Sequence, residues 1–155
     1  MMNKDQKKQY IEEMTAHFDK SEAVIVTHYQ GLSVSKLDDL RKKMREHGVK
    51  FKITKNKITK LALEKTKCKD ISNLFTGPTA VAMSEDAIIS AKILTNFSKE
   101  NEKLKILGGI MGNDILDVAG VQNVATLPTL DEARAKIVGI LRTPAQKIAS
   151  ILLAP

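Results

Sequence analysis

Residues 23–57, AVIVTHYQGLSVSKLDDLRKKMREHGVKFKITKNK, contain the pattern that decides the fold. They open with a short β-branched run, Ala23-Val-Ile-Val-Thr27, which predicts a buried strand. A segment follows whose apolar residues recur at helical spacing. From residue 49 to residue 54, apolar residues alternate with Lys50, Lys52 and Thr54, which predicts a second strand with one apolar and one basic face.

Residues that start or stop helices mark the boundaries of these elements. Ser33 is placed to cap the first helix, and Gly48 is placed to end it in the left-handed conformation. Asn56 is placed to cap the next helix, which continues through Leu63. The first helix is expected to turn three residues inward: Leu37, Leu40 and Met44.

Outward from this stretch, the chain keeps alternating between helices and strands. A helix is expected over residues 4–19, another begins at Ser84 and Asp86, and residues 117–126 form a small one. A polar loop precedes the turn at residues 75–78, and the glycines of residues 108–112 predict a strand bend and a turn. Further strands are expected at residues 79–83, 104–111 and 115–116. This order of elements on a short chain predicts an α/β (α+β) fold, either a general α/β sandwich or a split-βαβ one.

Composition excludes several classes of protein. The chain has 155 residues, 43% of them hydrophobic and 28% charged, which is typical of a globular protein. Its one cysteine, Cys68, cannot form an internal disulfide, which excludes a disulfide scaffold and favours a reducing compartment. The N-terminus lacks the apolar core of a signal peptide, and no apolar run approaches the about 18 residues of a spanning helix. A small, soluble, basic, intracellular protein is therefore expected.

The excess of positive over negative charge comes from residues 36–69, called the basic segment below. This segment has 13 basic and four acidic residues, a net charge of +9, whereas the rest of the chain has 12 basic and 14 acidic residues. Charge concentrated in this way favours binding to a polyanion. The alternative is a lysine-rich face that is only solvated.

Residues around the second strand suit contacts to structured RNA. Val49, Phe51 and Ile53 are expected to point inward, so no aromatic platform for base stacking is indicated. Lys50 and Lys52, on the exposed face, suit contacts to phosphates and 2′-hydroxyl groups, although these contacts do not by themselves distinguish RNA from DNA. The candidate contact residues are Lys36, Arg41, Arg45, Lys50, Lys52, Lys55, Asn56, Lys57 and Lys60.

The last 27 residues predict one long amphipathic helix. Thr129 and Glu132 form a capping box at its start. Nine residues then share one stripe: Leu130, Ala133, Ile137, Ile140, Leu141, Pro144, Ile148, Ile151 and Leu152. Burying the leucine and isoleucine side chains of this stripe corresponds to a gross gain of ~10–20 kcal/mol. The stripe is therefore expected to face its own domain, a membrane or a partner.

The stripe also contains a repeat. Residues 136–144 realign with residues 147–155, with five of nine positions identical at an offset of 11 residues. Because 11 residues are close to three helical turns, both copies present the same surface on nearly the same face. A helix that presents two equivalent docking sites along one face explains such a repeat. Pro144 predicts a kink between the two copies. The candidate docking residues are Ile137, Ile140, Leu141, Ile148, Ile151 and Leu152.

The sequence shows no pattern typical of catalysis or metal binding. The three histidines and Cys68 do not have the spacing of a zinc site, and the glycines of residues 108–112 do not have dinucleotide spacing. No phosphate-binding loop, nucleophile elbow or kinase motif occurs. No catalytic residue, no metal and no cofactor are therefore expected, nor is a small-molecule substrate.

Four motifs occur together in one order and spacing: GLSVSKLDDLR (31–41), GVKFKITKNK (48–57), FTGPTAV (75–81) and ATLP (125–128). Together they closely resemble the bacterial family of large-subunit ribosomal protein ten, which anchors the lateral stalk. The resemblance runs from Lys4 to Pro155. Each motif alone is weak, but four in register make the match specific.

The resemblance implies a division into two parts. Residues 1–127 are expected to form a ferredoxin-like α/β domain that binds large-subunit rRNA at the stalk base, beside ribosomal protein eleven. Residues 128–155 are expected to form a long, kinked helix that docks dimers of the acidic stalk protein (seven/twelve), which recruit translation GTPases and stimulate their GTP hydrolysis. A cytoplasmic, ribosomal location and no contact with a membrane follow.

The resemblance also bears on the number of docking segments. In similar proteins the docking helix continues past the point that matches Pro155, and two segments are predicted here, residues 136–144 and 147–155. The alternative function is a non-ribosomal nucleic-acid-binding adaptor that self-associates through the same helix.

Overall fold

The computed structural model describes residues 4–64, 66, 68–112 and 114–153. The helices in these ranges are α1 (Lys4–Lys20), α2 (Val34–Glu46), α3 (Asn56–Leu63), α4 (Ala87–Glu100), α5 (Val118–Thr126) and α6 (Leu130–Leu153). The strands are β1 (Ala23–His28), β2 (Lys50–Ile53), β3 (Thr79–Ser84), β4 (Lys105–Met111) and β5 (Asp114–Leu116). A short 3₁₀ helix, Lys69–Leu74, lies where the sequence predicted only a polar loop.

The strands form one antiparallel sheet in the order β2-β3-β1-β4-β5. Since β1 and β2 are both antiparallel to β3, which lies between them, they run parallel to each other and are joined by α2. By the same reasoning, β3 and β4 run parallel on either side of β1 and are joined by α4. Two interleaved β-α-β units of this kind make the ferredoxin-like split-βαβ arrangement. The predicted fold class is confirmed.

Helices cover both faces of the sheet, which accounts for the sequences of the strands. One core, under α1 and α3, includes Met14, Phe18, Val24, Leu63, Phe75 and Val81. The other core, under α2, α4 and α5, includes Ile25, Leu40, Met44, Leu94, Phe97 and Val121. The central strands β1 and β3 are buried on both sides and are therefore continuous apolar runs. The edge strand β2 alternates between basic and apolar residues, but each of its faces has one exposed and one half-buried residue.

Local signals correctly predicted two helix boundaries. Gly48 has a φ of +72°, and its N–H donates to the carbonyl of Arg45 at 3.1 Å, which ends α2. Asp86 is the N-cap of α4, and its Oδ1 accepts from the N–H of Ile88 at 2.9 Å. Ser33 stands at the N-cap of α2, but its hydroxyl makes no capping hydrogen bond.

The predicted cap at Asn56 is wrong. The N-cap of α3 is Lys55, and Asn56 lies inside the first turn. The Asn56 side chain donates from Nδ2 to the carbonyl of Gly77 at 2.7 Å, and its Oδ1 accepts from the Thr79 hydroxyl. The Asn56 side chain therefore makes a tertiary contact to the loop before β3 instead of capping α3.

The predicted strand bend at residues 108–112 is confirmed. The pairing of β1 with β4 shifts register between Val26 and Thr27. Opposite this shift, Gly108 has a φ of +146°, and a Cβ there would lie 2.7 Å from the carbonyl oxygen of Leu116. Only glycine fits this position, because both the backbone conformation and the space exclude a side chain.

Candidate functional site

The middle of the basic segment lies at one edge of the sheet, because β2 is its outermost strand. It passes through α2 on one face of the sheet, along β2, and then through α3 on the other face. Its members Lys65 and Lys67 lie outside the described residues. The predicted contact residues of β2 lie at this edge, whereas those of α2 and α3 lie on opposite faces of the sheet, and Lys36 reaches Asn101 at the end of α4.

The cations of α2 differ in what they contact. The Nη1 atom of Arg41 lies 3.1 Å from Oδ1 of Asp38, one turn earlier on the same helix. Lys36 donates a hydrogen bond to the side chain of Asn101, which follows α4. Arg45 is exposed and has no ion pair with the residues that the structure describes. Arg41 and Arg45 line one shallow surface groove, so both can face the same stretch of a bound polyanion.

The face of β2 that carries Lys50 and Lys52 is turned toward α1. The Nζ atom of Lys52 lies 2.6 Å from Oε1 of Glu13, and that of Lys50 lies 3.3 Å from Nδ1 of His17. The predicted exposure is correct for Lys50 and wrong for Lys52, whose side chain is about two-thirds buried. Alternation identifies the face of a strand but not the helix beside it. Ile53, predicted to point inward, is 39% exposed because the strand ends there at the sheet edge.

These contacts shift two pKa values. The hydrogen bond from the Lys52 ammonium, together with its charge, holds the pKa of Glu13 below its usual range. Burial lowers the pKa of His17, and the charges of Lys50 and Lys52 lower it further, so the imidazole is neutral at pH 7. The Lys52 ammonium is therefore already paired with the Glu13 carboxylate inside the domain.

The turn from β2 into α3 presents cations on a fixed frame. Asn56 ties this turn to the carbonyl of Gly77, as described above. Lys57 is exposed and Lys60 is partly exposed, and neither is ion-paired within the described ranges. Because their side chains are not neutralised, these two lysines are better placed than Lys52 to contact phosphate groups.

Helix α6 carries the second candidate surface. Every residue from 134 to 152 is exposed. The exposed fractions of the six predicted docking residues are 59% for Ile137, 70% for Ile140, 74% for Leu141, 61% for Ile148, 73% for Ile151 and 79% for Leu152. The described part of the domain does not cover the stripe. This excludes the alternative that the stripe packs against the described part of its own domain.

The start of α6 follows the predicted capping box. The N–H of Glu132 donates to Oγ1 of Thr129 at 3.4 Å, and the N–H of Thr129 donates to Oε2 of Glu132 at 3.0 Å. The helix then continues through Pro144 to Leu153. The kink at Pro144 stays a prediction, and the last two residues of the second repeat copy, Ala154 and Pro155, lie outside the described residues.

A known family matches the part of the chain that contains the sheet. The family described as "Ribosomal protein L10" matches residues 2–99. The chain belongs to this family. It is 72% identical, over 153 residues, to "Large ribosomal subunit protein uL10" of Pelagibacter ubique (strain HTCC1062), covering 99% of this chain and 92% of the relative.

Two more distant relatives of the same name extend the match along the chain. The Rhodospirillum rubrum protein is 46% identical over 154 residues, covering 99% of this chain and 90% of its own length. The Paramagnetospirillum magneticum protein is 49% identical over 148 residues, covering 96% and 86%. The relatives thus share the α6 region as well as the sheet, and the resemblance stated from the four motifs is confirmed.

Membership in the Ribosomal protein L10 family makes the chain a ribosomal protein, a component of the ribonucleoprotein that carries out translation. This contradicts the non-ribosomal adaptor. The family consists of ribosomal structural proteins and not of enzymes. Within the described ranges, no cluster of His, Cys, Asp and Glu could hold a metal ion. No helix in those ranges has both the length and the apolar character needed to span a bilayer.

Proposed function

We propose that this ribosomal protein binds large-subunit rRNA through the basic segment and holds dimers of the acidic stalk protein (seven/twelve) along α6. It joins the body of the large subunit, at the stalk base beside ribosomal protein eleven, to the dimers that recruit translation GTPases. RNA binding belongs to residues 1–127 and docking to residues 128–155, with one docking segment at residues 136–144 and one at 147–155.

The observation that carries the docking proposal is the exposure of the α6 stripe. Six leucine and isoleucine side chains, each more than half exposed, lie along one face of a single helix. Burying a side chain of this kind contributes about 1.5–3 kcal/mol, so a partner that covers the stripe gains a large apolar interface. The repeat of residues 136–144 at residues 147–155 supports two equivalent partners along this face.

The charge of α6 supports an acidic partner. After Glu132, the helix has no acidic residue up to Leu153. Its charged residues over this length are all basic and exposed: Arg134, Lys136, Arg142 and Lys147. An apolar stripe flanked by cations is complementary to an acidic protein that has an apolar docking face.

The rRNA proposal is supported by the distribution of cations around the β2 edge. Arg45 on α2 and Lys57 on α3 are exposed on the two sides of this strand and are not neutralised by the described residues. Contacts from lysine and arginine to phosphate groups position a protein on a shaped nucleic acid without reading its sequence. Structured RNA is recognised largely in this way.

Native mass spectrometry of the chain co-expressed with the acidic stalk protein of the same organism tests the docking proposal. One copy of the chain with four stalk chains is the expected complex, since each of two segments holds one dimer. A chain that stays alone, or that pairs only with itself, contradicts it. Binding of the same complex to a stalk-base fragment of large-subunit rRNA tests the other half, and no binding at physiological salt contradicts it.

A further inference from the structure

We propose that the backbone of the bound RNA lies across the end of the sheet at which β1 stops and β4 begins, and that Lys103 and Lys105 contact its phosphates there. Both lysines lie outside the basic segment. This inference rests on the proposed function, because it names a further part of the surface that binds the RNA.

The register of the sheet brings four chain connections to this end. His28, the last residue of β1, pairs with Thr79 at the start of β3 and with Lys105 at the start of β4. Ile53, the last residue of β2, pairs with Ala80. The loops that follow β1 and β2 and the loops that precede β3 and β4 therefore lie side by side. Since adjacent strands are about 4.8 Å apart, roughly 14 Å separates β2 from β4 at this end.

These connections form a basic surface, called the loop end below, whose residues come from four separate stretches of the sequence. The loop end consists of residues 28–33, 54–57, 75–79 and 101–105. It contains four lysines and one acidic residue, Glu102, so its net charge is +3. A local excess of positive charge of this kind attracts the phosphate groups of a nucleic acid.

The other end of the central strands has the opposite charge. A groove of about 960 Å³ lies there, where β1 begins and β3 and β4 end. Its lining contains four acidic residues and one lysine: Asp19, Glu22, Glu85, Asp86 and Lys20. Leu127 and Leu130, at the start of α6, belong to the same lining. RNA is attracted to the loop end and repelled from the acidic end, and the roughly 20 Å length of β1 keeps the start of α6 away from the RNA.

The backbone that carries Lys103 and Lys105 is fixed, while their charges are not neutralised. Both side chains are exposed and have no ion pair within the described ranges. Leu104, between them, is 1% exposed. Its N–H donates to the carbonyl of Asn101 at 3.0 Å, and its carbonyl accepts from the Ser98 hydroxyl at 2.8 Å. Little backbone ordering is therefore needed when these two lysines bind phosphate.

The loop after β1 supports the side chain of Lys103. The N–H of Leu32 donates to the carbonyl of Tyr29 at 3.2 Å, and Gly31 has a φ of +88°, as in a type II turn. A Cβ added at Gly31 would lie 3.3 Å from Cδ of Lys103. The aliphatic part of Lys103 thus packs against this turn, which reduces the side-chain entropy that is lost on binding.

Lys57 extends the same surface to the β2 side. Asn56 ties the turn after β2 to the carbonyl of Gly77, and Nε2 of His28 lies 2.7 Å from the carbonyl of Thr76. The turn after β2 is thereby fixed to the loop before β3, and this loop is fixed to β1. Exposed lysines on both sides of a surface about 14 Å wide suit the backbone of an RNA better than a single anion.

Two double variants of the full chain test the inference with the stalk-base rRNA fragment. Lys103→Gln with Lys105→Gln should weaken binding and lower the slope of log K against log salt by about 2, as the loss of two phosphate contacts does. Lys20→Gln with Lys147→Gln removes the same charge from the acidic end and from α6, and it should leave the slope unchanged. The unfolding temperature should stay close to wild type in both, because all four lysines are exposed.

Acetylation of lysines in the wild-type complex, followed by mass spectrometry, provides a second readout. The RNA should protect Lys57, Lys103 and Lys105 from acetylation and leave Lys20 and Lys147 reactive. Lys103 and Lys105 that stay fully reactive in the complex overturn the inference.

Further outcomes separate this inference from the function on which it rests. If the fragment binds the wild type and the Lys103/Lys105 variant with the same salt slope, the inference fails while rRNA binding stands. An equal fall of the slope in the Lys20/Lys147 variant also overturns it, since overall charge then determines binding. If the fragment does not bind the wild type at all, the proposed RNA-binding function fails first.

Discussion

The Nζ atom of Lys92 on α4 lies 2.9 Å from Oε2 of Glu132 in the first turn of α6. The same carboxylate accepts the capping hydrogen bond from the N–H of Thr129. These hydrogen bonds lower the pKa of Glu132, that from Lys92 more than that from Thr129. The Glu132 side chain thus caps the start of α6 and links it to the α/β domain.

Two substitutions at Glu132 should separate these roles. Glu132→Gln keeps an acceptor for the Thr129 amide, since glutamine also serves in a capping box, but it removes the charge that pairs with Lys92. Glu132→Ala removes both. Hydrogen exchange at the Thr129 amide should be much faster in the alanine variant and close to wild type in the glutamine variant. Equal exchange in all three proteins would show that the capping bond does not protect this amide.

The link to Lys92 should also depend on pH. Because the folded pKa of Glu132 is lowered from 4.5, the contact contributes above that pH and is lost as the pH falls through the folded value. Between pH 6 and about pH 3, exchange at the root of α6 should therefore increase, after correction for intrinsic rates. Asp131→Asn is the control, since Asp131 pairs only with Arg134 of the same helix among the described residues.

Charge placed in the first docking segment should remove one stalk dimer. The double variant Ile140→Asp, Leu141→Asp puts two carboxylates into the stripe, where an apolar partner surface would have to desolvate them. The expected complex in native mass spectrometry falls from four stalk chains to two, while binding to the stalk-base rRNA fragment is unchanged. Loss of RNA binding in this variant refutes the assignment of RNA binding to residues 1–127 and of docking to residues 128–155.

The matched control changes the opposite side of the helix. At 100° per residue, Ala135 and Gln146 lie away from the stripe, and both are exposed. Ala135→Asp with Gln146→Asp adds the same charge to the same helix but leaves the stripe intact. Four stalk chains should remain bound, and their loss would indicate that the net charge of α6, and not the stripe, determines docking.

Lysines of the basic segment should contribute unequally to RNA binding. Lys57→Gln should weaken binding to the rRNA fragment and lower the slope of log K against log salt by about 1, as loss of one phosphate contact does. Lys52→Gln should change affinity much less, because Lys52 is held by Glu13. Its main effect should be on folding, about 0.5 kcal/mol, a typical value for a partly exposed ion pair. Equal effects of the two substitutions on the salt slope would contradict this ranking.

Sequence patterns predicted what depends on neighbours along the chain. The caps at Asp86 and Thr129 involve partners within three residues, and the central strand β1 is a short run that only a doubly covered sheet explains. Asn56 was mispredicted because its partner, Gly77, is 21 residues away. Capping rules consider only partners that are close in sequence, so they do not include a distant carbonyl that competes for the same side chain.

The candidate surfaces were predictable to different degrees for the same reason. The sequence predicted the apolar stripe of α6 but left open whether it faces its own domain, a membrane or a partner, and the structure shows Ile137 and Leu152 exposed. The basic edge was predicted as a segment, but the engagement of Lys52 with Glu13 required the position of α1.

Stability should fall as the pH is lowered through the titration of His17. Its folded pKa lies below 6.5 because burial and the charges of Lys50 and Lys52 disfavour the imidazolium. In the unfolded chain, His17 has its usual pKa of about 6.5. Between this value and the lower folded pKa, the unfolded chain binds more protons than the folded protein, so the free energy of unfolding decreases as pH falls from about 7.5 to 5.5. His17→Gln should flatten this part of the profile of unfolding temperature against pH relative to the wild type. An unchanged profile in His17→Gln would assign the slope to other groups.

Gly139 should limit the stability of α6 before a partner binds. It lies in the middle of this exposed helix, and a Cβ added there would have no heavy atom within 4 Å. Since tertiary packing does not stabilise the helix over residues 134–152, intrinsic propensity decides how fully it forms. Gly139→Ala should stabilise it by about 1 kcal/mol, raise the circular dichroism signal at 222 nm, and tighten stalk protein binding up to fivefold because less ordering is needed. Ala135→Gly should have the opposite effect. If Gly139→Ala instead weakens binding while helicity rises, the partner contacts the backbone at Gly139, and the docking surface is wider than the apolar stripe.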